Sequence, residues 1–529
     1  MSKEQPKILS GFLVLSTGVM ANRCIGFVRE LVTAFYFGTG RMMDAFVVAF
    51  TIPTLFRRVL GEEMIERSFV PPIKSLFEKG AFKQGWQLTW GLFKIMLFAL
   101  CVGWLILHLL TPELVRFLAP GFQKDADLFT LTVSLSYWIL PYLLIVGVSS
   151  FLGGLLLFFN KEIGYVYAPV MTSLAVIFCL FFFHSSLGVY SLPLGIVCGG
   201  LLSIVFQLPF FNQRFRDVHA YRYEKGWGLH LPETRVVGRE ATSVFFQSLI
   251  IKSVEIVDRI MGSILATGSI SALYFAYRIV MVPEAVIGFA LSRVLGVQLA
   301  MVNTKNDITA FRDYLWTGLR LNFFFLFPLT AGFILLSYPI TGLVYGRGEF
   351  SENSIQATAF ACKFYALGLP AMGLYNILAR AFAAIQKNRV VLWASIISAL
   401  LNIILNFILA RTFLRHGGIA LATSLAISVS AVFLWITILK SIRGQGKDLQ
   451  LKPFFKAILK MIICLILMIF VCYAGYRVLL NFKFFSPQIT YFIQCAIPFG
   501  CASLVYLGAG YGLRLQEVQI VFQIFKRAK

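Results

Sequence analysis

Charged residues are scarce in this sequence, and acidic residues are the scarcest. Of the 529 residues, 13% are Asp, Glu, Lys or Arg, and only 24 are acidic. Soluble domains carry about a quarter of their residues as charged ones, so this composition excludes a soluble globular protein. Apolar residues fill the chain instead: 58% of it is hydrophobic, Phe alone occurs 53 times, and the mean hydropathy is +0.80. The predicted solvent is therefore lipid.

The sequence also lacks the motifs of redox, zinc and acid–base chemistry. Its nine Cys include no CxxC pair and are interpreted mainly as small apolar residues of membrane helices. A membrane enzyme that acts on polyprenyl lipids would need a His base, or paired acids with a metal. The five His form neither an HxxxxD nor an HExxH group, so we do not predict an enzyme. They are His108, His184, His219, His230 and His416.

Fourteen apolar stretches are long enough to cross about 30 Å of hydrocarbon. They lie at 9–36, 42–60, 86–110, 129–157, 163–183, 190–211, 240–264, 270–299, 316–337, 357–385, 390–411, 418–439, 456–480 and 489–513. We therefore predict an all-α polytopic membrane protein with about 14 transmembrane helices.

Basic residues are distributed unequally between the loops that join these stretches. If the N-terminus is cytoplasmic, the inside segments hold 26 of the 47 Lys and Arg, and the outside loops hold seven. This asymmetry predicts an even number of spans with both termini in the cytoplasm. The formal net charge of +23 then reflects mainly membrane topology, and no nucleic-acid partner is predicted.

The longest polar connection, 212–239, divides the first twelve spans into two sets of six. Each set begins with a charge-bearing helix pair that is joined by a glycine-containing turn, at 38–40 and at 267–269. We interpret this as a parallel repeat, with two six-helix lobes packed as a V. The predicted boundaries are 1–212 for the N-terminal lobe, 213–239 for a cytoplasmic linker, 240–440 for the C-terminal lobe, and 441–529 for an appended helix pair and cytoplasmic tail.

Fourteen basic residues lie inside the predicted spans. Each would cost about 2.5–3.5 kcal/mol at the centre of a lipid-facing helix. Most cluster in the first helix pair and in the seventh and eighth spans, accompanied by acids. The basic members are Arg23, Arg29, Arg57, Arg58, Lys252, Arg259, Arg278 and Arg293, and the acidic members are Glu30, Asp44, Glu255, Asp258 and Glu284.

Two interpretations of this cluster stay open. Its residues could form structural ion pairs between helices, or they could line a wet cavity that receives a polyanion. Lys252, Glu255 and Arg259 share one helix face, which must meet protein or water. Because the basic residues of the cluster outnumber its acids, some positive charge would remain after every acid had formed an ion pair. Surplus guanidinium groups suit a pyrophosphate, which they bind bidentately.

Four segments carry a family resemblance. Residues 22–71 read NRCIGFVRELVTAFYFGTGRMMDAFVVAFTIPTLFRRVLGEEMIERSFVP, and residues 262–283 read GSILATGSISALYFAYRIVMVP. LVYGRGEF follows at 343–350 and GGIALATSL at 417–425. These segments resemble signatures of the MurJ/MviN family, in the multidrug/oligosaccharidyl-lipid/polysaccharide exporter superfamily. The resemblance implies a flippase that moves lipid II, a polyprenyl-pyrophosphate precursor of peptidoglycan, from the inner to the outer leaflet of the bacterial cytoplasmic membrane by alternating access.

The resemblance also implies roles for individual residues. Arg29, Glu30 and Arg278 match a triad that holds the pyrophosphate, and Glu62 matches a residue near the inner gate. The appended helix pair is expected to form a groove for the polyprenyl tail. The full substrate-binding set is Arg23, Arg29, Glu30, Asp44, Arg57 and Arg278.

A possible sodium ion is a further implication of the resemblance. One carboxylate with three other oxygen-bearing side chains suits a hard cation. Asn406 stands where sodium-binding members have Asp, and Asp258 has the alternative of pairing with Lys252 or Arg259. The implied ligands are Asp258, Asn402, Asn406 and Thr423.

Other functions stay open beside lipid II transport. The chain could export another polyprenyl-linked saccharide or drugs, as relatives in the superfamily do, or it could be a non-transporting scaffold for cell-wall assembly. Departures from the family pattern at 62–66, Tyr277 and Arg293 bear on gating and substrate preference. The expected partners are lipid II or a similar polyprenyl-pyrophosphate saccharide, membrane lipids, and the cell-wall synthesis machinery.

Overall fold

The computed structural model describes residues 5–57, 64–159, 161–211, 232–305, 307–444, 451–482 and 486–520. Every regular element in those ranges is helical, which confirms the predicted all-α fold. The chain forms two compact units, Met1–Gly268 and Ser269–Lys529.

The described part of the first unit contains ten α-helices. A π-helical turn, Ile65–Phe69, precedes the third of them, and short 3-10 turns lie at Pro120–Lys124, Gly188–Tyr190 and Leu208–Phe211. The α-helices are α1 (Gln5–Phe37), α2 (Arg41–Arg57), α3 (Val70–Glu78), α4 (Phe82–Leu109), α5 (Thr111–Leu118), α6 (Ala126–Ile139), α7 (Pro141–Phe158), α8 (Glu162–Leu187), α9 (Ser191–Gln207) and α10 (Pro232–Ile264).

The described part of the second unit contains nine further α-helices, and residues 516–520 are also helical. A π-helical turn, Glu284–Gly288, separates the first two. The α-helices are α11 (Ser269–Pro283), α12 (Phe289–Thr304), α13 (Ile308–Tyr345), α14 (Glu352–Ala366), α15 (Leu369–Ala384), α16 (Asn388–Leu409), α17 (Arg415–Arg443), α18 (Leu451–Leu479) and α19 (Pro487–Gly512).

Each predicted span has a helical counterpart in the structure, but three of them are divided. The eighth contains the π-helical turn Glu284–Gly288 between α11 and α12. The fourth predicted span is divided into α6 and α7 just before Pro141, and the tenth into α14 and α15, which bend by 44° near Pro370. Both prolines stand in the first turn of the second helix, where a missing backbone N–H leaves no helical bond unmade.

By length and composition, nine helical segments of the described chain are apolar enough to cross a membrane, or ten with α14 and α15 as one bent span. The charge-bearing helices α1, α2 and α10 are not among them, and one of the nine segments contains both α8 and α9. With those helices counted individually, the structure is consistent with about fourteen spans.

Small residues let α8 and α9 approach closely. A Cβ added at Gly195 would lie 2.6 Å from the Cα of Val176, and one added at Gly199 would lie 2.5 Å from the Cα of Thr172. The two glycines are one helical turn apart, so together they form a flat strip on which α8 rests. Such small-residue strips replace the hydrophobic effect as the basis of helix association in lipid.

The predicted lobe boundaries stay predictions, although α10 shows where one helix packs. The sequence assigns residues 240–264 to the C-terminal lobe, whereas the structure places α10 in the first compact unit. A Cβ at Gly121 would lie 1.9 Å from the Ser263 carbonyl oxygen, so only glycine permits this contact between the Pro120–Lys124 turn and α10.

The appended pair α18–α19 packs against α13 through an apolar core, and the chain after α19 returns to the same core. The return begins at Arg514, whose φ is +55°, and Lys460 Nζ donates to the Leu513 carbonyl oxygen at 2.7 Å. The core consists of Phe324, Leu336, Met461, Cys464, Met468, Cys472, Ala502, Tyr506, Leu515 and Val518.

A buried ion pair joins this returning segment to α13. Arg320 Nε donates to Glu517 Oε1, and Arg320 Nη2 donates to Gln516 Oε1 at 3.1 Å. Glu517 is 2% exposed. Since a buried charge without its partner is strongly unfavourable, the pair fixes the position of the C-terminal segment.

We expect Glu517→Ala to destabilise the purified protein by about 3–5 kcal/mol, because the guanidinium of Arg320 would stay buried without its carboxylate. The matched control, Glu349→Ala, removes an exposed carboxylate and should change stability by less than about 0.5 kcal/mol. Unfolding in detergent, followed by tryptophan fluorescence, measures both. Equal stability of the two variants would contradict the role assigned to the pair.

Candidate functional site

Arg29 and Glu30, neighbours on α1, form an ion pair that is only partly buried. Arg29 Nη2 lies 2.6 Å from Glu30 Oε1, and the Glu30 side chain is 5% exposed whereas that of Arg29 is 23% exposed. Arg23, two turns earlier on the helix, is exposed. Of the three predicted binding residues on α1, the structure therefore buries the acid, Glu30, and leaves Arg23 and Arg29 at least partly accessible.

Asp44, also predicted as a substrate-binding residue, is an acceptor for a backbone amide. It is 2% exposed, and its Oδ2 accepts a hydrogen bond of 2.6 Å from the Gly268 N–H. Gly268 has φ +90°, a conformation that favours glycine, and a Cβ there would lie 3.8 Å from both Gly40 N and Thr39 Oγ1. Asp44 thus joins the turn after α1 to the turn after α10.

Further polar contacts join the same ends of these helices. Arg41 Nη2 donates to Asp125 Oδ1 at 2.7 Å, and the same carboxylate caps α6 by accepting from Leu128 N. The Gly121 N–H donates to Ser263 Oγ at 3.2 Å. Together with the Asp44 bond, these contacts close the end of the first unit that the loop charges predict to be outside.

The polar face of α10 contains an ion pair and an arginine for which the described residues supply no partner. Lys252 Nζ bonds to Glu255 Oε2. Arg259, on the same face, forms neither an ion pair nor a hydrogen bond with any residue that the structure describes, and its Nε is buried. The sequence left Lys252 and Arg259 open as partners for Asp258. In the structure, Lys252 pairs with Glu255 instead.

Arg278 lies in the second unit, on α11. Its side chain is exposed, its Nη2 is 3.4 Å from the Tyr274 hydroxyl, and its guanidinium carbon lies 5.0 Å from the centre of the Tyr274 ring. This cation–π contact orients the guanidinium. Because Arg278 and the α1 arginines belong to different compact units, their common pocket stays a prediction.

Two members of the predicted site are only partly described or not described at all. Arg57 ends α2, and its side chain lies outside the described residues. Glu62, the predicted gate residue, lies entirely outside them. Their roles stay predictions.

Three of the four implied sodium ligands lie together in the second unit. Asn402 Nδ2 donates to Thr423 Oγ1 at 3.1 Å, and Asn406 Nδ2 donates to Asn402 Oδ1 at 2.9 Å. Both asparagines are buried, and the three oxygen-bearing side chains are of the type that a hard cation accepts. Asp258 belongs to the first unit, so a site formed by all four residues stays a prediction.

Sequence reasoning missed the partner of one intramembrane acid. Asn376 Nδ2 donates to Glu284 Oε1 at 2.6 Å, which connects α15 to the π-helical turn Glu284–Gly288. The sequence showed an acid directly after Pro283 in an apolar helix. Nothing in it indicated which amide would lie opposite, because that depends on helix packing.

Comparisons with known proteins agree on one family. The family model described as lipid II flippase MurJ matches residues 33–493. The chain is 30% identical to a probable lipid II flippase MurJ of Rickettsia prowazekii, over 78% of this chain and 80% of the relative. It is 25% identical to the lipid II flippase MurJ of Burkholderia cenocepacia, over 82% of this chain and 83% of the relative.

A solved structure shares the fold. A lipid II flippase MurJ in an inward closed conformation superposes with a TM-score of 0.75 at 23% identity, over 95% of this chain and 99% of that one. An inward-facing multidrug transporter of the MATE family gives a TM-score of 0.63 at 14% identity, over 82% of this chain and 99% of that one.

We expect Asp44→Ala to lower the protection of the Gly268 amide from hydrogen exchange by at least about tenfold, because a hydrogen bond to a charged acceptor is worth about 1.5–3 kcal/mol. Exchange mass spectrometry of the peptide around Gly268 measures the change. Asp127→Ala, which removes an exposed carboxylate from the first turn of α6, is the control. Unchanged exchange in Asp44→Ala would show that the carboxylate does not hold this turn.

Proposed function

This chain belongs to the lipid II flippase MurJ family, and on that premise we propose that it moves lipid II from the inner to the outer leaflet of the bacterial cytoplasmic membrane. The observation that carries the proposal is the family match over residues 33–493, which includes the whole of the charged helices α2, α10 and α11. The protein is a multi-pass membrane transporter, not an enzyme.

The arginines supply the chemistry that a pyrophosphate headgroup requires. A guanidinium group binds phosphate oxygens with parallel hydrogen bonds and keeps its charge at any physiological pH. Arg29 pairs with Glu30, and the guanidinium of Arg278 lies over the ring of Tyr274. The pairing with Glu30 weakens the binding of phosphate by Arg29. Reversible transport needs binding of limited strength, since a site that binds too tightly does not release its substrate.

Asp44 supports the idea that the outer end opens and closes. Its bond to the Gly268 amide connects two turns that lie at the predicted outer end. Opening toward the outside would break this bond, at a cost of about 1.5–3 kcal/mol. Interactions of that size can be exchanged for contacts with a bound substrate, so we infer that Asp44 holds the closed state rather than contacting the headgroup.

Several finer features belong to the same proposal. Both termini are placed in the cytoplasm by the loop charges, and the polyprenyl tail is placed in lipid beside the α18–α19 pair. The membrane potential could assist, because moving one charge through 100 mV is worth about 2.3 kcal/mol. Contacts with the cell-wall synthesis machinery stay a prediction.

We expect Arg29→Ala and Arg278→Ala each to abolish the rescue of a bacterium depleted of its lipid II flippase, because each removes a guanidinium that meets the pyrophosphate. Arg411→Ala is the matched control: Arg411 is exposed and lies 5.7 Å from the Phe407 ring, outside the proposed site. Growth curves measure rescue, and an epitope tag confirms that each variant reaches the membrane.

Normal growth with either site variant would contradict the assignment of these arginines. The alternatives are separated by reconstitution into vesicles that contain labelled lipid II. A scaffold would not move it, and an exporter of another saccharide or of drugs would move that compound in preference.

A further inference from the structure

Arg259 is an intramembrane arginine whose charge no described residue balances. It lies on α10, five residues before the helix ends at Ile264. Its Nε is buried without a hydrogen-bond partner, and its guanidinium takes part in no ion pair or ring contact within the described part of the chain. Its terminal nitrogens are not among the buried unpaired atoms, so they reach accessible surface. A charged donor in such a position is unfavourable unless a ligand or water meets it.

The nearest opposite charges on α10 do not pair with it. Glu255, one turn earlier, bonds to Lys252, and the neighbouring Asp258 makes no described ion pair with Arg259. The positive charge of Lys252 is thus balanced locally, whereas that of Arg259 is not.

The residue one turn farther along the helix, Ser263, shows where Arg259 lies within the first unit. Ser263 lies on the same helix face, four residues on, and packs against Gly121 so closely that no Cβ would fit between them. Arg259 therefore lies one turn inside the contact that closes this end of the first unit. A substrate on its way to the outer leaflet would reach Arg259 late in its passage.

We propose that Arg259 is a further binding residue for the phosphates of the lipid-linked substrate, positioned near the outer end of its path. The proposal rests on the proposed function and adds a residue outside the set that the family resemblance supplied. The accessible guanidinium nitrogens offer parallel donors to phosphate oxygens, and a ligand at this point supplies the partner that the described residues do not. Arg29 and Arg278 would hold the headgroup first, and Arg259 would receive it before release.

The test is a binding titration with undecaprenyl pyrophosphate, using the full-length protein in nanodiscs and native mass spectrometry. Arg259→Gln should bind the probe roughly tenfold more weakly, which corresponds to about 1.4 kcal/mol. Arg259→Lys keeps the charge without the planar fork and should lose about threefold or less. Arg477→Gln is the control, since Arg477 lies on α18 with its guanidinium 5.8 Å from the Tyr473 ring, and should bind as the wild type does.

Binding by Arg259→Gln within about twofold of the wild type would overturn the proposal, since a charged hydrogen bond is worth more than that. Equal losses by the Gln and Lys variants, accompanied by a lower unfolding temperature in both, would also overturn it, because they indicate a packing role. If Arg259→Gln does not fold, the proposal is tested instead by amine labelling of Arg259→Lys with and without the probe. The probe should protect the new amine, and labelling that the probe leaves unchanged would reject the proposal.

The proposed function and this inference fail in different ways. Weak binding by Arg278→Ala together with normal binding by Arg259→Gln would reject the inference alone. Failure of the wild-type protein to bind the probe, or to move lipid II in vesicles, would reject the proposed function.

Discussion

A charged side chain at bilayer depth must meet an opposite charge, a polar group or water, and the charged residues of this chain follow that constraint in two different ways. Some are paired within the protein: Lys252 with Glu255, and Arg320 with Glu517. Others keep an accessible guanidinium, as Arg23 and Arg278 do. The paired residues hold helices and segments in place, whereas the accessible ones carry the proposed transport chemistry.

Two acids of the first signature segment, Glu30 and Asp44, have different contacts and are not interchangeable. Glu30 neutralises part of the charge of its neighbour Arg29, and Asp44 holds the Gly268 amide. In the proposed mechanism, the first acid tunes binding strength and the second stabilises a closed end. A transporter needs both functions, because a headgroup that is held too strongly, or an end that never closes, would each prevent alternating access.

Much of the fold could be predicted from the sequence because the constraint that lipid imposes is local. Each apolar stretch must satisfy its own backbone hydrogen bonds, so each becomes a helix wherever it packs. Hydropathy predicted the positions of most helices, but it did not predict the interruptions before Pro141 and near Pro370, which only the structure shows. The candidate site was predicted only as a set of residue types, since Arg23, Arg29 and Arg278 stood out by being charged where charge is unfavourable.

What the sequence determined by itself was the membrane class, the helical content, the family and the identity of the intramembrane charges, because these depend on composition and on short motifs. Only the tertiary structure decided which charges neutralise one another. In the structure, Lys252 pairs with Glu255 and Asn376 donates to Glu284. Asp44 accepts from a backbone amide, and Arg259 has no described partner. The physical reason is that partners such as Asp44 and Gly268 are 224 residues apart along the chain and meet only through the packing of helices, which no local pattern encodes.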